Sequence, residues 1–183
     1  MKRRSGIQIM GKLIGLIRPL MHVMAAAILL GVTGYLCAIF LTVLAGVGIL
    51  QIMGIWQGVS LTTLFVCLAV IAVLRGILHY GEQACNHYIA FKLLALIRHK
   101  VFAVLRKLCP AKLDGRDKGN LISIITTDIE LLEVFYAHTI SPIAIAFLTS
   151  LIMEIFFLRY HVLIGLFALV GYLATVSYTH LRA

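Results

Sequence analysis

The chain has 183 residues, of which 62% are hydrophobic, and its mean hydropathy is +1.04. Soluble globular chains are about half apolar, so this composition excludes an ordinary soluble domain. The net charge of +9 is concentrated beside apolar runs and not on a free basic arm, which argues against nucleic-acid binding.

The first 18 residues predict a cytosolic N-terminus that contains a short interfacial helix. Met10, Leu13, Ile14 and Ile17 share one helical face, the pattern of a helix lying on the inner leaflet. Basic residues are concentrated in residues 2–18 and 92–118. Both clusters flank predicted spans at ends that would face the same side of the membrane. By the positive-inside rule, we expect a multi-pass protein of the inner (plasma) membrane with its N-terminus in the cytosol.

The next part of the chain predicts two membrane spans. No Asp, Glu, Lys or Arg occurs between Pro19 and Leu74. Because one crossing needs roughly 20 apolar residues, we place spans at about 19–50 and 61–81. Residues 51–60 contain glycine, glutamine and the lone tryptophan, which are typical of a connection at the membrane interface.

The second helix is predicted to continue beyond the membrane. Nothing breaks it before Cys109-Pro110, which makes it about 73 Å long at 1.5 Å per residue. Since the hydrocarbon core is about 30 Å thick, we expect residues 82–137 to form a cytosolic hairpin with its turn at 111–120. An apolar face of this extension predicts a packed seam, formed by Leu94, Ile97, Val101, Val104, Leu105 and Leu108. The opposite face is basic and predicts solvent exposure of Lys92, His99, Lys100, Arg106 and Lys107.

The returning helix of this hairpin is acidic. Asn120 is its predicted N-cap. We expect Asp128, Glu130 and Glu133 to pair with the basic helix, each exposed pair contributing about 0.2–1 kcal/mol.

Two more apolar segments predict a third span at about 138–158 and part of a fourth at 162–176. Residues 177–183 change abruptly to a polar string, which we expect to be a non-native tail after a truncated reading frame. The predicted fold is therefore an all-α membrane domain with three spans and part of a fourth.

Four polar residues are expected on one face of the second helix, near its cytosolic end: Arg75, His79, Glu82 and Asn86. Two interpretations remain open. The residues could stabilise the bundle, through snorkelling and an Arg75–Glu82 pair, or they could line a substrate pathway. Glu154, in the third span, is expected to snorkel towards the outer surface.

The sequence offers no catalytic or metal-binding set. The four cysteines are far apart and include no CxxC motif, and the seven histidines form no HExxH pair. The segment GIQIMGKL resembles a phosphate-binding loop, but Leu13 occupies the position of the Ser or Thr that would hold Mg²⁺. We expect neither ATP binding nor a metal site in this chain.

A longer pattern resembles a known family. FKLLALIRHKVFAVLRKLCPAKLDGRDKGNLISIITTDIELLEVFY, followed by HTISP, is similar to the first half of the transmembrane domain of ABC exporters. The resemblance covers about residues 10–176. NHYIAFKLLALIR and the TISP at Thr139–Pro142 are most similar to the second subunit of the heterodimeric thiol-reductant exporters of cytochrome bd assembly.

The resemblance implies how such a chain works. The turn would be a coupling helix seated in an ATP-binding domain, with the matching charged residues Asp114, Arg116, Asp117 and Lys118. ATP and Mg would bind to that domain, which this chain lacks, and a second half-transporter would complete the transporter. Closure of the ATP-binding domains would rock the long helices. Members of the bd-assembly group are associated with haem, and His87 matches a histidine of that group, as a candidate axial ligand.

We therefore interpret the chain as the permease portion of an ATP-driven exporter of a small solute, such as cysteine or glutathione. Two alternatives remain open. One is a small haem-binding or redox membrane protein that uses His87 and His79. The other is a standalone membrane scaffold subunit.

Overall fold

The computed structural model describes residues 15, 18–108, 119, 123, 126–127, 130–131 and 135–182. Four helices make up most of this part: α1 (Met21–Ile52), α2 (Leu61–Leu108), α3 (Ser141–Tyr160) and α4 (Val162–Arg182). A 3-10 turn, Arg18–Leu20, precedes α1, and a π turn, Tyr136–Ile140, precedes α3. The described residues contain no strand, so the predicted all-α fold is confirmed.

Three helical stretches are long and apolar enough to cross a membrane: Arg18–Ile52, Leu61–Lys107 and His138–Tyr160. The apolar part of α4, Val162–Tyr178, is shorter. The 48 residues of α2 extend over about 72 Å, so this helix is longer than a bilayer core. The chain is a membrane protein.

The end of α1 is closed by a left-handed glycine. Gly54 has a φ of +74°, a conformation that favours glycine. Its N–H donates to the Gln51 carbonyl at 3.0 Å, and the Ile55 N–H donates to the Leu50 carbonyl at 3.0 Å. These two bonds form a Schellman motif, which satisfies carbonyl groups that the helix end would otherwise leave unpaired.

The start of α2 has its own cap. The Ser60 hydroxyl accepts the Thr63 N–H at 3.1 Å, as an N-cap residue does. Between the helices, the Gln51 side-chain amide donates to the Val59 carbonyl. The Trp56 ring lies over Gly58, where a β-carbon would overlap the ring. Residues 53–60 therefore form a compact turn between α1 and α2.

The π turn before α3 has a cause in the sequence. Pro142 has no N–H to donate to the carbonyl of residue 138, and its ring would crowd that carbonyl in a regular helix. Residues Tyr136–Ile140 form the wider π turn. The chain therefore stays helical through Pro142 instead of ending its helix there.

The backbone remains helical past Ser177, where the sequence changes from apolar to polar. We predicted that the native span ends near residue 176, but α4 continues to Arg182. No glycine or proline follows Gly171 in this helix, so nothing local terminates it.

The chain forms two compact units. Unit 1 comprises Met1–Gly31 and Gly76–Pro142, and unit 2 comprises Val32–Arg75 and Ile143–Ala183. The core of unit 1 joins α1 and α2 through four buried residues: Leu20, Met24, Ile89 and Leu93. A β-carbon on Gly81 would lie 3.2 Å from Leu30 Cδ1, so the two helices approach closely there.

Unit 2 is held by contacts between helices that are consecutive in the chain. A β-carbon on Gly48 would lie 3.8 Å from Leu64 Cδ2, which joins α1 to α2. Leu158 of α3 covers Gly165 of α4 so closely that a β-carbon there would overlap the leucine side chain. Close packing against small residues is the usual way in which helices associate in lipid, where burial of apolar surface gives little driving force.

Candidate functional site

The polar face of α2 divides into buried and exposed residues. Glu82 is 5% exposed and Asn86 is 1% exposed, although both are polar. His79, in the same unit, is exposed, as is Arg75, which belongs to unit 2. The buried pair lies on the stripe of α2 that continues into Ile89 and Leu93 of the core. Glu82 and Asn86 are therefore enclosed by residues of unit 1.

The Glu82 carboxylate has a different partner from the one that the bundle-stabilising interpretation assumed. His79 Nδ1 lies 3.3 Å from Glu82 Oε2. Among the described residues, two contacts join a basic or histidine side chain to an acidic one, and Arg75 takes part in neither. His79 lies one helical turn before Glu82, where side chains on one face meet readily, whereas Arg75 is two turns away.

Two fully buried side chains in unit 1 have no hydrogen-bond partner. These are Asn86, at both Nδ2 and Oδ1, and Ser141, at Oγ. Ser141 is 0% exposed and begins α3. Buried polar atoms are paired in most proteins, so the unpaired atoms of each side chain indicate room there for water or a polar ligand. We call Glu82, Asn86 and Ser141 the buried polar group.

Sequence reasoning did not identify Ser141. It stands immediately before a proline at the start of an apolar helix, and that position alone does not distinguish a ligand-binding serine from a helix-end serine. The available signal was TISP itself, which we used only to recognise a resemblance.

His87 is exposed and is bordered by two aromatic rings. Phe91 is stacked with it, at a centroid distance of 6.0 Å and an interplanar angle of 22°. The ring of His138, in the π turn, lies edge-on at 6.1 Å. His79, which the redox alternative paired with His87, instead contacts Glu82. The neighbour of His87 is thus a histidine 51 positions later, which spacing along one helix could not reveal.

The predicted coupling residues Asp114, Arg116, Asp117 and Lys118 lie outside the described residues. One contact between the two predicted arms of the hairpin is described. The Arg98 guanidinium donates to Glu130 Oε1 at 3.2 Å, and the two side chains are 39% and 60% exposed. The predicted pairing of an acidic with a basic helix is confirmed for these two residues, whereas Asp128 and Glu133 fall outside the described part.

The apolar seam of α2 is centred differently from our prediction. Val104 is 57% exposed, while Leu93 and Ala90, which we had not included, are each 1% exposed. Helix α1 packs against the earlier turns of α2, so burial is deepest there. The basic face is exposed as predicted, at Lys92, His99, Lys100, Arg106 and Lys107.

The predicted snorkelling of Glu154 is not seen at one of its two carboxylate oxygens. Its Oε2 is enclosed and has no hydrogen-bond partner. Its Oε1 faces Gly165 of α4, 3.3 Å from the place of a β-carbon. The carboxyl group is therefore directed at the neighbouring helix in unit 2. The described residues contain no group of three or more potential metal ligands.

Comparisons with known proteins agree with this architecture. Over 171 residues, the chain is 48% identical to a "Probable ABC transporter ATP-binding/permease protein" of Haemophilus influenzae, covering 93% of this chain and 31% of that protein. Over 84 residues, it is 30% identical to the "Glutathione/L-cysteine transport system ATP-binding/permease protein CydC" of Escherichia coli K12, covering 46% of this chain and 15% of that protein. The protein of the same description in Haemophilus influenzae is 26% identical over 85 residues, covering 46% of this chain and 15% of that protein.

No family model matches the chain. The chain spans about a third of the length of the first of these relatives and less of the others. The match with the first relative includes nearly all of the apolar helices described above. The chain belongs to the ABC transporter ATP-binding/permease proteins, and it corresponds to a membrane-embedded part of them.

Proposed function

We propose that the chain is the permease portion of an ATP-driven exporter. In the whole protein, ATP hydrolysis on a nucleotide-binding domain would drive the export of a small solute across the inner membrane. The observation that carries this proposal is the 48% identity, over 93% of the chain, to a relative described as both ATP-binding and permease. A second half-transporter, identical or different, would complete the transport pathway.

The length of α2 supports a mechanical role. At about 72 Å, the helix is long enough to cross the bilayer and to carry its basic face into the cytosol. The exposed cations on this face also support a cytosolic position for the hairpin and for the N-terminus. We place the coupling contact at Asp114, Arg116, Asp117 and Lys118, where alternating charges suit a hydrated and reversible interface.

We assign the buried polar group to solute binding. Asn86 offers both a donor and an acceptor, Ser141 offers a hydroxyl, and none of these atoms is satisfied within the described residues. A small thiol with amino-acid or peptide groups, such as cysteine or glutathione, could pair with them. Two relatives are described as transporting glutathione and L-cysteine. His79, which belongs to the same unit, would lie along the same pathway.

Transport by the whole protein tests this assignment. Inside-out vesicles that contain the complete transporter should accumulate radiolabelled cysteine or glutathione only when ATP is present. Asn86→Leu should lower that uptake about tenfold, because it removes hydrogen bonds worth roughly 1–3 kcal/mol to a buried ligand. His99→Ala, on the exposed face of the same helix, is the matched control. Uptake that proceeds equally without ATP would contradict the exporter, and unchanged uptake by Asn86→Leu would contradict the binding site.

A haem-binding role is a second candidate, favoured by one observation. His87 has a second imidazole nearby, because the His138 ring lies 6.1 Å away. Imidazole is a common axial ligand of haem iron, and the stacked Phe91 adds an apolar surface beside it. If haem binds there, the purified chain supplied with haem should show a Soret band that is lost in His87→Ala. A band that persists in both His87→Ala and His138→Ala would place haem elsewhere.

A further inference from the structure

A cavity of about 210 Å³ lies between the residues that lead into α1 and the later turns of α2. Gly15 and Pro19 line one side, and Leu96, Ile97 and Lys100 line the other. All five residues belong to unit 1, and none of them belongs to the buried polar group. Sites that enclose a whole drug-sized ligand span about 300–1,000 Å³, so this cavity suits one part of a larger molecule.

The cavity lies at the start of the first membrane-spanning segment. That segment begins at Arg18, and no Asp, Glu, Lys or Arg occurs between Pro19 and Leu74. Pro19 therefore marks the point where the chain passes from charged to apolar surroundings. Because Lys100 lines the same cavity as Pro19, packing brings this cation of α2 to the membrane boundary.

Two cations at the cavity have no acidic partner within the described residues. Lys100 lines the cavity, and Arg18 is adjacent in sequence to Pro19. Both side chains are exposed, and neither forms an ion pair or a hydrogen bond there. Arg98, two positions before Lys100, is instead paired with Glu130. The cavity therefore offers positive charge to a ligand that carries negative charge.

The rest of the lining is apolar. Pro19 and Leu96 are exposed and Ile97 is half-buried, so carbon surface lies beside the Lys100 ammonium group. A free phosphate ion would use the cation alone, whereas a phospholipid would also cover this carbon surface with its glycerol and first acyl carbons. Basic pockets between membrane helices on the cytoplasmic side are known to bind acidic lipid headgroups.

We propose that this cavity binds an anionic phospholipid of the surrounding membrane. The lipid phosphate pairs with Lys100, and the glycerol backbone packs against Pro19, Leu96 and Ile97. The bound lipid joins the residues before α1 to the extension of α2. Only the assignment to the inner leaflet rests on the proposed function, because binding itself needs neither ATP nor transport.

Native mass spectrometry of the chain in detergent micelles tests the site. Phosphatidylglycerol should form a one-to-one adduct, and phosphatidylcholine with the same acyl chains should form much less. Lys100→Gln should weaken the association of phosphatidylglycerol about fivefold, the effect of one cation near anionic lipid. Lys92→Gln and Lys107→Gln are matched controls, because they remove the same charge from exposed positions of α2 on either side of the cavity. Each control should leave the adduct nearly unchanged.

A second variant tests the cavity without changing any charge. A β-carbon at Gly15 meets nothing within 4 Å, so the side chain of Gly15→Leu has room to occupy the cavity. This variant should also weaken the adduct with phosphatidylglycerol. An adduct that Gly15→Leu leaves unchanged would show that the lipid binds elsewhere and would overturn the proposal.

Three further results would contradict the site. Equal losses in Lys92→Gln, Lys100→Gln and Lys107→Gln would show general attraction to positive charge. Equal binding of the two lipids would show that the headgroup charge is not recognised. Displacement of phosphatidylglycerol by an equal concentration of inorganic phosphate would show that the phosphate ion alone is bound. Since no transport is measured, a failure of the proposed exporter would leave all these outcomes unaffected.

Discussion

Glu82 in unit 1 and Glu154 in unit 2 are carboxylates on largely apolar helices, but their surroundings differ. Glu82 is buried on the same helix as the core residues Ile89 and Leu93, and its Oε2 lies 3.3 Å from His79 Nδ1. Glu154 lies in a contact between two helices, faces a glycine and has no ionisable partner within the described residues. The same residue type is thus compensated in one unit and uncompensated in the other.

This difference separates a carboxylate that has a side-chain partner from one that has none among the described residues. A compensated carboxylate adds specificity to the packing of its unit, and replacing its partner should destabilise the fold. An uncompensated one contributes little to stability, so its presence in an apolar helix needs another explanation. Four experiments, from the largest expected effect to the smallest, can break or sharpen this comparison.

Leu93→Ala should have the largest effect, because it opens the apolar core of unit 1. Leu93 is 1% exposed and packs with Leu20, Met24 and Ile89. The free energy of unfolding in mixed detergent micelles should fall by about 2–5 kcal/mol. Leu96→Ala, at an exposed position of the same helix, should change it by much less. Equal losses in the two variants would show that this core does not stabilise unit 1.

His79→Ala should cost about 1–3 kcal/mol, because it leaves the buried Glu82 carboxylate without its partner. The same unfolding measurement applies. Glu154→Gln is the comparison that matters, since it removes an unpartnered carboxylate and should cause no loss of stability. A larger loss for Glu154→Gln than for His79→Ala would reverse the contrast between the two glutamates.

Gly165→Ala should destabilise the chain by about 1 kcal/mol, at the low end of overpacking effects, because the exposed Leu158 side chain can partly move away. Leu158→Ala in the same background should restore stability, since it removes the overlapping atoms. Gly171→Ala is the control, because a β-carbon there meets nothing within 4 Å. Destabilisation by Gly171→Ala as large as that by Gly165→Ala would argue against close α3–α4 packing.

Separating Arg98 from Glu130 should have the smallest effect. Their side chains are 39% and 60% exposed, so water and salt weaken the attraction. A double-mutant cycle with Arg98→Gln and Glu130→Gln should give a coupling energy of about 0.2–1 kcal/mol that declines as salt is added. Coupling well above this range, or unaffected by salt, would indicate that the pair is shielded from solvent.

Much of the fold could be predicted because the constraints on it are local. The uncharged run from Pro19 to Leu74 requires two spans, and the turn residues between them indicate where they join. The same reasoning identified the exposed basic face of α2 and an acidic partner at Glu130. The length of α2 followed from the absence of any breaking residue before Pro110.

The details of the candidate site were less predictable because they depend on contacts between distant residues. Helical geometry places Arg75, His79, Glu82 and Asn86 on one face, but it cannot tell which of them a neighbouring helix covers. Ser141 is buried through tertiary packing. The orientation of Glu154 depends on Gly165, whose missing side chain creates the space. The spacing of residues along one helix reveals neither the burial of Ser141 nor the space beside Gly165.

The turn between α1 and α2 has a consequence for how the protein is made. Three features form hydrogen bonds to backbone groups of this turn: the Schellman motif, the Ser60 cap and the Gln51 side chain. All the donors and acceptors in these bonds belong to residues 49–64. A chain entering lipid cannot leave such groups unpaired without a large cost. We therefore expect the α1–α2 hairpin to enter the bilayer as one closed unit during synthesis, before α3 has left the ribosome. Biogenesis of this membrane segment would then begin with a hairpin whose bend needs no later partner.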